Sequence, residues 1–450
     1  MRLTIAALIM ALSAGPVAAG ELTDVERSCF DRANLKFGKY WLLECLQEVF
    51  AGDPYHLAIG TVAPGAGTIA VGPAFTFLPH MGRAEGIVSG EAVVSTDTSW
   101  MAQMQAVFAV PSIPGTTKAL LSRKAGGRYG GRRRALQSDS ELDAKSSITF
   151  GARLFDAKEQ PFYGLGPFTS LAAGTAYSLK QTDFSAAFDN PLTSWSSAGV
   201  SADFIRPRIV SPNGGVPLAS EYSAASAPGL NTTDDFVQVE PYLTFKVPPR
   251  RSPSTVAQVG FSFYRAIGDP RFSFRRLSAS TITDFPIRLP VHSGSAVKSK
   301  RHGFADFLCQ SSRSGEHCSA GDLLLTGRLD ATYSSAGSTS PFFLDPTLGG
   351  TDISGSDTLR GFGDYRFRAP NRVLLQAEYQ HPIWSFLGIF GFYDVGKVAL
   401  QPSALTLGQL RHDIGVGLYV SVANHQLARF YVAFGTGEPV QIQPKFGALP

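Results

Sequence analysis

No stretch of the 450-residue chain offers about eighteen uninterrupted apolar residues, so nothing in it reads as a membrane-spanning helix. Charge is sparse too: Asp, Glu, Lys and Arg make up 17% of the residues, against about 25% in ordinary globular domains. The net charge of +4 is too small to imply a nucleic-acid partner. Neither a GxSxG elbow nor an HExxH pair occurs, and the eight histidines are scattered. The chain is therefore not predicted to be an enzyme, and no cofactor is implied. A lipase built from Ser, His and a polar partner is the one catalytic arrangement a motif does not exclude, and no residue points to it.

Cysteine is limited to four residues in two local pairs, Cys29 with Cys45 and Cys309 with Cys318. The chain opens on a secretory signal, residues 1–19. Arg2 supplies the positive start, Leu3 to Leu12 the apolar run and Val17-Ala18-Ala19 a small-residue cleavage site. A buried amino-terminal helix is the alternative. In an exported protein an even cysteine count implies two disulfides, with the connectivity open. Cys309, Cys318 and His317 also have the look of a partial metal site. Zinc takes four ligands and no fourth is in evidence, so no metal is predicted.

Residues 20–55 read as a short helical segment. Leu35, Leu42, Leu46 and Val49 recur at helical spacing, Asn34 is placed to cap the start, and Gly52-Asp53-Pro54 ends it. From residue 56 to residue 450 the pattern is β. Alternating runs of about ten residues cover Gly67 to Leu78, Ala84 to Thr96, Trp100 to Val110, Ser147 to Asp156, Ala173 to Thr182, Ser194 to Arg206, Phe236 to Val247, Thr255 to Ile267, Phe272 to Thr283 and Asp322 to Ser334. Two more fall within Leu348 to Lys397, followed by Asp413 to Val422, Arg429 to Gly435 and a weak run, Val440 to Phe446. An export signal without a spanning helix leaves a soluble protein or a barrel. The 44% hydrophobic content and mean hydropathy of +0.03 fit both. Sparse charge with 46 glycines and 32 phenylalanines favours the barrel. Ten-residue strands are long enough to cross a bilayer at a tilt, and Thr326, Arg328, Asp330 and Thr332 share one face, as a wet lumen requires. A soluble β-sandwich is the alternative; a propeller is disfavoured by the absence of a blade-length repeat. The predicted fold class is all-β, a transmembrane antiparallel β-barrel of about sixteen strands with a short amino-terminal helix. Such barrels have even strand counts, and the strand not found is expected between Pro207 and Phe307.

Within Leu348 to Lys397 stand three pieces: LGG followed by LRGF at Leu359 to Phe362, AEY at Ala377 to Tyr379, and FYDVG at Phe392 to Gly396. In these pieces the chain resembles the carboxy-terminal barrel of the outer-membrane assembly and translocation superfamily, the bacterial surface antigen family of BamA and TamA. The resemblance implies that Arg360 sits at the tip of a long outer loop folded back into the lumen. There it would meet Glu378 and Asp394, projecting inward from the next two strands. Leu359, Phe392 and Gly396 complete the motif, Gly361 would let the backbone turn tightly, and Phe362 would anchor the tip. A guanidinium fork suits two carboxylates; an unrelated surface turn is the alternative.

The family's assembly members carry periplasmic POTRA domains ahead of the barrel. Residues 20–55 are too short for one, so the chain resembles shorter members lacking them, with the helix lying in the periplasm as a lid or a plug. The resemblance implies an outer-membrane location. Membrane lipids and lipopolysaccharide would be the surroundings, and unfolded outer-membrane or secreted proteins the clients. A passive or gated pore, or a structural barrel, is the alternative function. A seam between first and last strands is implied as well; Pro444 removes one ladder donor there. Three connections are long: Pro111 to Ser146, basic at Arg128 and Arg132-Arg133-Arg134; Arg208 to Asp235; and Ser335 to Leu359. All three are expected on the outer side, the first against lipid-A head groups or as a solvated tip. FYGLGP, Phe162 to Pro167, resembles a periplasmic turn.

Overall fold

The computed structural model describes residues 55–63, 69–77, 80–81, 84–110, 146–212, 214–247, 253–290, 310–311, 317–384, 387–422 and 425–446. The signal segment, residues 20–54, Cys29, Cys45 and Cys309 lie outside the described residues, as does the side chain of Cys318.

Sixteen antiparallel strands build one nearly closed barrel. They are β1 (Tyr55–Gly60), β2 (Ala70–Phe77), β3 (Ala84–Ser95), β4 (Trp100–Val110), β5 (Ser146–Phe162), β6 (Thr175–Pro191), β7 (Ser196–Val210) and β8 (Phe236–Lys246). The second half is β9 (Ser254–Ala266), β10 (Phe274–Pro290), β11 (His317–Tyr333), β12 (Asn371–Pro382), β13 (Leu387–Ala399), β14 (Arg411–Val422), β15 (His425–Gly435) and β16 (Gln441–Phe446). Each strand pairs with the next in sequence. Among the described residues β16 and β1 approach each other without a shared ladder. One four-residue helix, α1 (Leu218–Glu221), lies in the β7–β8 connection.

Alternation decides which face each side chain takes. On β8, Val237, Val239, Leu243 and Phe245 are exposed on the outer wall, while Gln238 and Glu240 bond to each other and to Ser262 inside. On β14, Ile414, Val416 and Leu418 face out and Gly415 and Gly417 face in. A surface of exposed Val, Leu, Ile and Phe around a polar interior is what a lipid-embedded barrel needs and a water-soluble one could not tolerate.

Three expectations are corrected. The strand missing from the sequence pattern is not between Pro207 and Phe307 but is β1, Tyr55–Gly60; six residues are too few for alternation to stand out. That changes the parity. An odd number of strands now separates the β4–β5 connection from the β11–β12 loop, so the chain leaves Val110 and re-enters at Ser146 at the end opposite that loop. The strand ends that this connection joins therefore lie where β1 begins and not at the loop end, and the basic run Arg128 to Arg134 itself lies outside the described residues. Conversely, FYGLGP joins β5 to β6 at the loop end, where Gly166 donates its N–H to the Arg368 carbonyl at 2.8 Å. It is no turn of the opposite end.

Several strands also outrun their predicted lengths. β5 and β6 each hold 17 residues. In β5 a register shift between Ala157 and Gln160 breaks the alternation that marks a strand in sequence.

Candidate functional site in the barrel lumen

The β11–β12 loop, residues 334–370, first crosses the mouth and then descends. Phe342 and Phe343 bury themselves against Phe162, Tyr177 and Phe236 at ring separations of 5.0, 5.1 and 6.1 Å. Arg276 donates to the Leu344 carbonyl at 3.0 Å and Arg368 to that of Phe342 at 2.8 Å. Asp345 is fully buried beside Ser340, with Arg276 3.8 Å away, and burial pushes its carboxyl up to about 7. This segment lies across the mouth, in contact with β5, β6, β8 and β10.

Below it the loop becomes a hairpin. Thr347–Leu348 pairs with Phe367–Arg368. Gly349 and Gly350 have φ of 112° and 54°, values that favour glycine, and they turn the chain inward. Leu348, Leu359, Phe362 and Phe367 are buried with Leu374 of β12 and Val398 of β13. A Cβ on Gly396 would lie 3.0 Å from a Leu348 methyl, so the glycine of FYDVG makes room for the hairpin.

The tip delivers Arg360, 2% exposed, to the lumen wall. Its Nε and Nη2 donate to the two oxygens of Asp394, each at 2.8 Å, and its Nη1 donates to Glu378. The guanidinium lies flat over Phe392, 3.6 Å from the ring centre. Phe392 can lie there because β14 has glycine opposite it: a Cβ on Gly415 would be 2.3 Å from the ring. The arrangement repeats one step along, where Arg429 of β15 lies 4.0 Å over Phe390 and pairs with Glu378 at 2.8 Å. Phe390 in turn sits against Gly417. Phe392→Leu is expected to remove the aromatic face while keeping an apolar side chain. Desolvated cation–π contacts contribute about 2 kcal/mol. The folded band on unboiled gels should therefore convert at a lower temperature than wild type.

Arg360, Glu378 and Asp394 are thus brought together, with Leu359, Phe362, Phe392 and Gly396 packed around them. Gly361 sits in the expected tight turn, closed by the Phe362 N–H on the Leu359 carbonyl at 3.1 Å, but the turn is not what selects glycine. Its φ is not positive; what requires glycine is space. A Cβ there would lie 2.5 Å from that of Asp413 and 2.6 Å from the backbone nitrogen of Gly435, and a Cβ on Gly435 would lie 2.4 Å from the Gly361 carbonyl oxygen. Loop backbone rests directly on strand backbone.

The sequence reading missed Asp413, which faces Asp394 across the β13–β14 ladder. It also missed Gly435, Arg429 and Lys445. Only the inward parity of their strands could have signalled them. Lys445 of β16 reaches Asp357 and, at 2.7 Å, Thr351 of the hairpin. On the other side Asp352 meets Arg372 of β12 at 2.7 Å and Arg328 of β11 at 3.3 Å. Arg372 also bonds Asp330 at 2.8 Å. Among the described residues no cluster of three metal-ligating side chains occurs.

No protein-family profile matches the sequence, and no curated protein does. Solved structures do. BamA from Haemophilus ducreyi, lacking POTRA domains 1–3, superposes with a TM-score of 0.50 at 12% identity, over 87% of this chain and 68% of that one. CdiB from Escherichia coli gives 0.47 at 11% identity, over 87% and 61%. CdiB from Acinetobacter baumannii gives 0.46 at 8%, over 87% and 57%. What the BamA likeness establishes, at this identity, is the fold: a sixteen-stranded outer-membrane-type barrel similar to BamA's.

Proposed function

We propose that the chain is an integral protein of the bacterial outer membrane that assists the insertion or translocation of other proteins there. The β11–β12 loop end would face outward and lipopolysaccharide and phospholipid would surround the wall. The observation that carries this reading is a loop gripped inside the lumen beside an edge strand, β16, that among the described residues has no ladder partner on its free side. An unpaired strand edge is a template for an incoming strand, and a gripped loop keeps the lumen from collapsing or leaking while the edge is in use. The Arg360–Glu378–Asp394 set would serve as the lock for that loop. The test reconstitutes the purified chain into liposomes and follows the folding of an added unfolded outer-membrane barrel by gel shift. Faster folding than in protein-free liposomes is expected; equal rates would overturn the reading.

A pore is the second reading, favoured by a polar row across the free wall, in which Glu91, Gln103, Arg153 and Asp183 are register neighbours on β3 to β6. The loop laid across the mouth and gripped in the lumen opposes it. In planar bilayers the wild-type chain is expected to show no steady conductance; a steady open level would favour the pore.

A further inference from the structure

The inner turn of the hairpin, Thr351–Asp357, is held at both ends, by strands on either side of β13 and β14. At one end the Asp352 carboxylate, 1% exposed, divides its work. Oδ1 accepts the backbone N–H groups of Ser354 and Ser356, both at 2.9 Å, and so closes the turn. Oδ2 accepts from Arg372 of β12 and Arg328 of β11. At the other end Asp357 accepts from Lys445 of β16 and, at 3.5 Å, from Arg429 of β15. Lys445 also donates to Thr351, which bridges Asp357 across the turn. The turn itself is tied off: Asp352 N–H bonds the Ser356 carbonyl at 2.8 Å and Gly355 N–H that of Asp352 at 2.9 Å.

β16 needs such a hold. It is six residues long, its ladder to β15 spans Gln441 to Phe446, and Pro444 within it cannot donate. Its other edge has no ladder to β1 among the described residues. A strand bonded on one side only frays readily. Lys445 is its ionic tie to the lumen, and the group it grips belongs to the loop.

We propose that the Thr351–Asp357 turn is a strut, fixing β16 at the open seam to β11 and β12 over the inner face of the strands between them. Charge holds both ends. The end toward β11 and β12 is an acid between two arginines, and the end toward β16 is an acid between an arginine and a lysine. A strut transmits: loosening it at β12 frees β16, although no side chain at that end touches β16. This goes beyond the insertion reading and does not need it, since its readout is strand exchange rather than activity.

The test is amide hydrogen exchange on the full chain in detergent micelles or nanodiscs, comparing wild type, Asp352→Asn and Lys445→Met. Asp352→Asn keeps Oδ1 for the turn and replaces the carboxylate oxygen facing the two arginines by an amide. Both variants should raise exchange at the donating amides of Gln441 to Phe446 at least tenfold, with β5 to β8 unchanged. If Lys445→Met acts and Asp352→Asn leaves β16 at the wild-type rate, Lys445 is a local contact and the strut is wrong. If neither variant changes β16, it is equally wrong. Should Asp352→Asn disturb β5 to β8 as well, Arg372→Gln replaces it, with the same outcomes deciding.

Discussion

Arg360→Ala is expected to release the β11–β12 loop from the wall. Removing the guanidinium leaves Asp394, 0% exposed, opposite Asp413 on the ladder, and Glu378, 3% exposed, with Arg429 as its remaining cation. Breaking a buried ion pair by deleting one partner costs about 3–5 kcal/mol, because the surviving charge keeps its desolvation penalty. The cheapest relief is for the hairpin to leave and for water to enter. Protease nicking around Gly355 should rise more than tenfold, and the folded band on unboiled gels should convert at a clearly lower temperature. Arg360→Lys should fall between the two. An ammonium keeps the charge but cannot span both acids as a planar fork or stack as well on Phe392. Wild-type behaviour of the alanine variant in both assays would mean the grip does not hold the loop.

The second large effect comes from two glycines that touch. Gly361→Ala and Gly435→Ala are each expected to lift the tip off β15, because the added methyl meets backbone at 2.6 Å and 2.4 Å. No side chain can rotate aside to relieve that. Overpacking of this kind costs about 1–3 kcal/mol, and here the strain falls on the seating of Arg360. Gly363 is the control: nothing lies within 4 Å of its Cβ direction and its φ is not positive. Gly363→Ala should therefore match wild type in nicking and thermal conversion, while the other two shift toward Arg360→Ala. If all three variants behave alike, close approach is not what Gly361 provides.

The two residues were not equally visible beforehand. Gly361 stands inside LRGF and attracts notice, though for the turn it makes and not for the close approach that requires glycine. Gly435 ends an ordinary strand, and nothing in its neighbourhood marks it. The same holds for Asp352 and Arg372, for Asp357 and Lys445, and for Asp413. Each member sits on a polar strand face or in a polar loop, and only its partner gives it a role.

By itself the sequence determined what short-range alternation can determine. Strand identity and facing for most of the wall follow from period-two patterning, and so does the inward direction of Glu378 and Asp394. A residue's face depends only on its immediate neighbours in the chain. The short β1 escaped for the same reason, having too few neighbours to make a pattern. Tertiary structure alone decided the rest. Which connections share an end depends on the parity of every strand between them, so one strand placed wrongly reversed the basic connection and the FYGLGP turn. Which charges meet inside the lumen depends on how a 37-residue loop folds back across a curved wall. That path is set by packing of Leu348, Phe362 and Phe367 and by two glycine backbones in contact, forces that act between residues the sequence holds far apart.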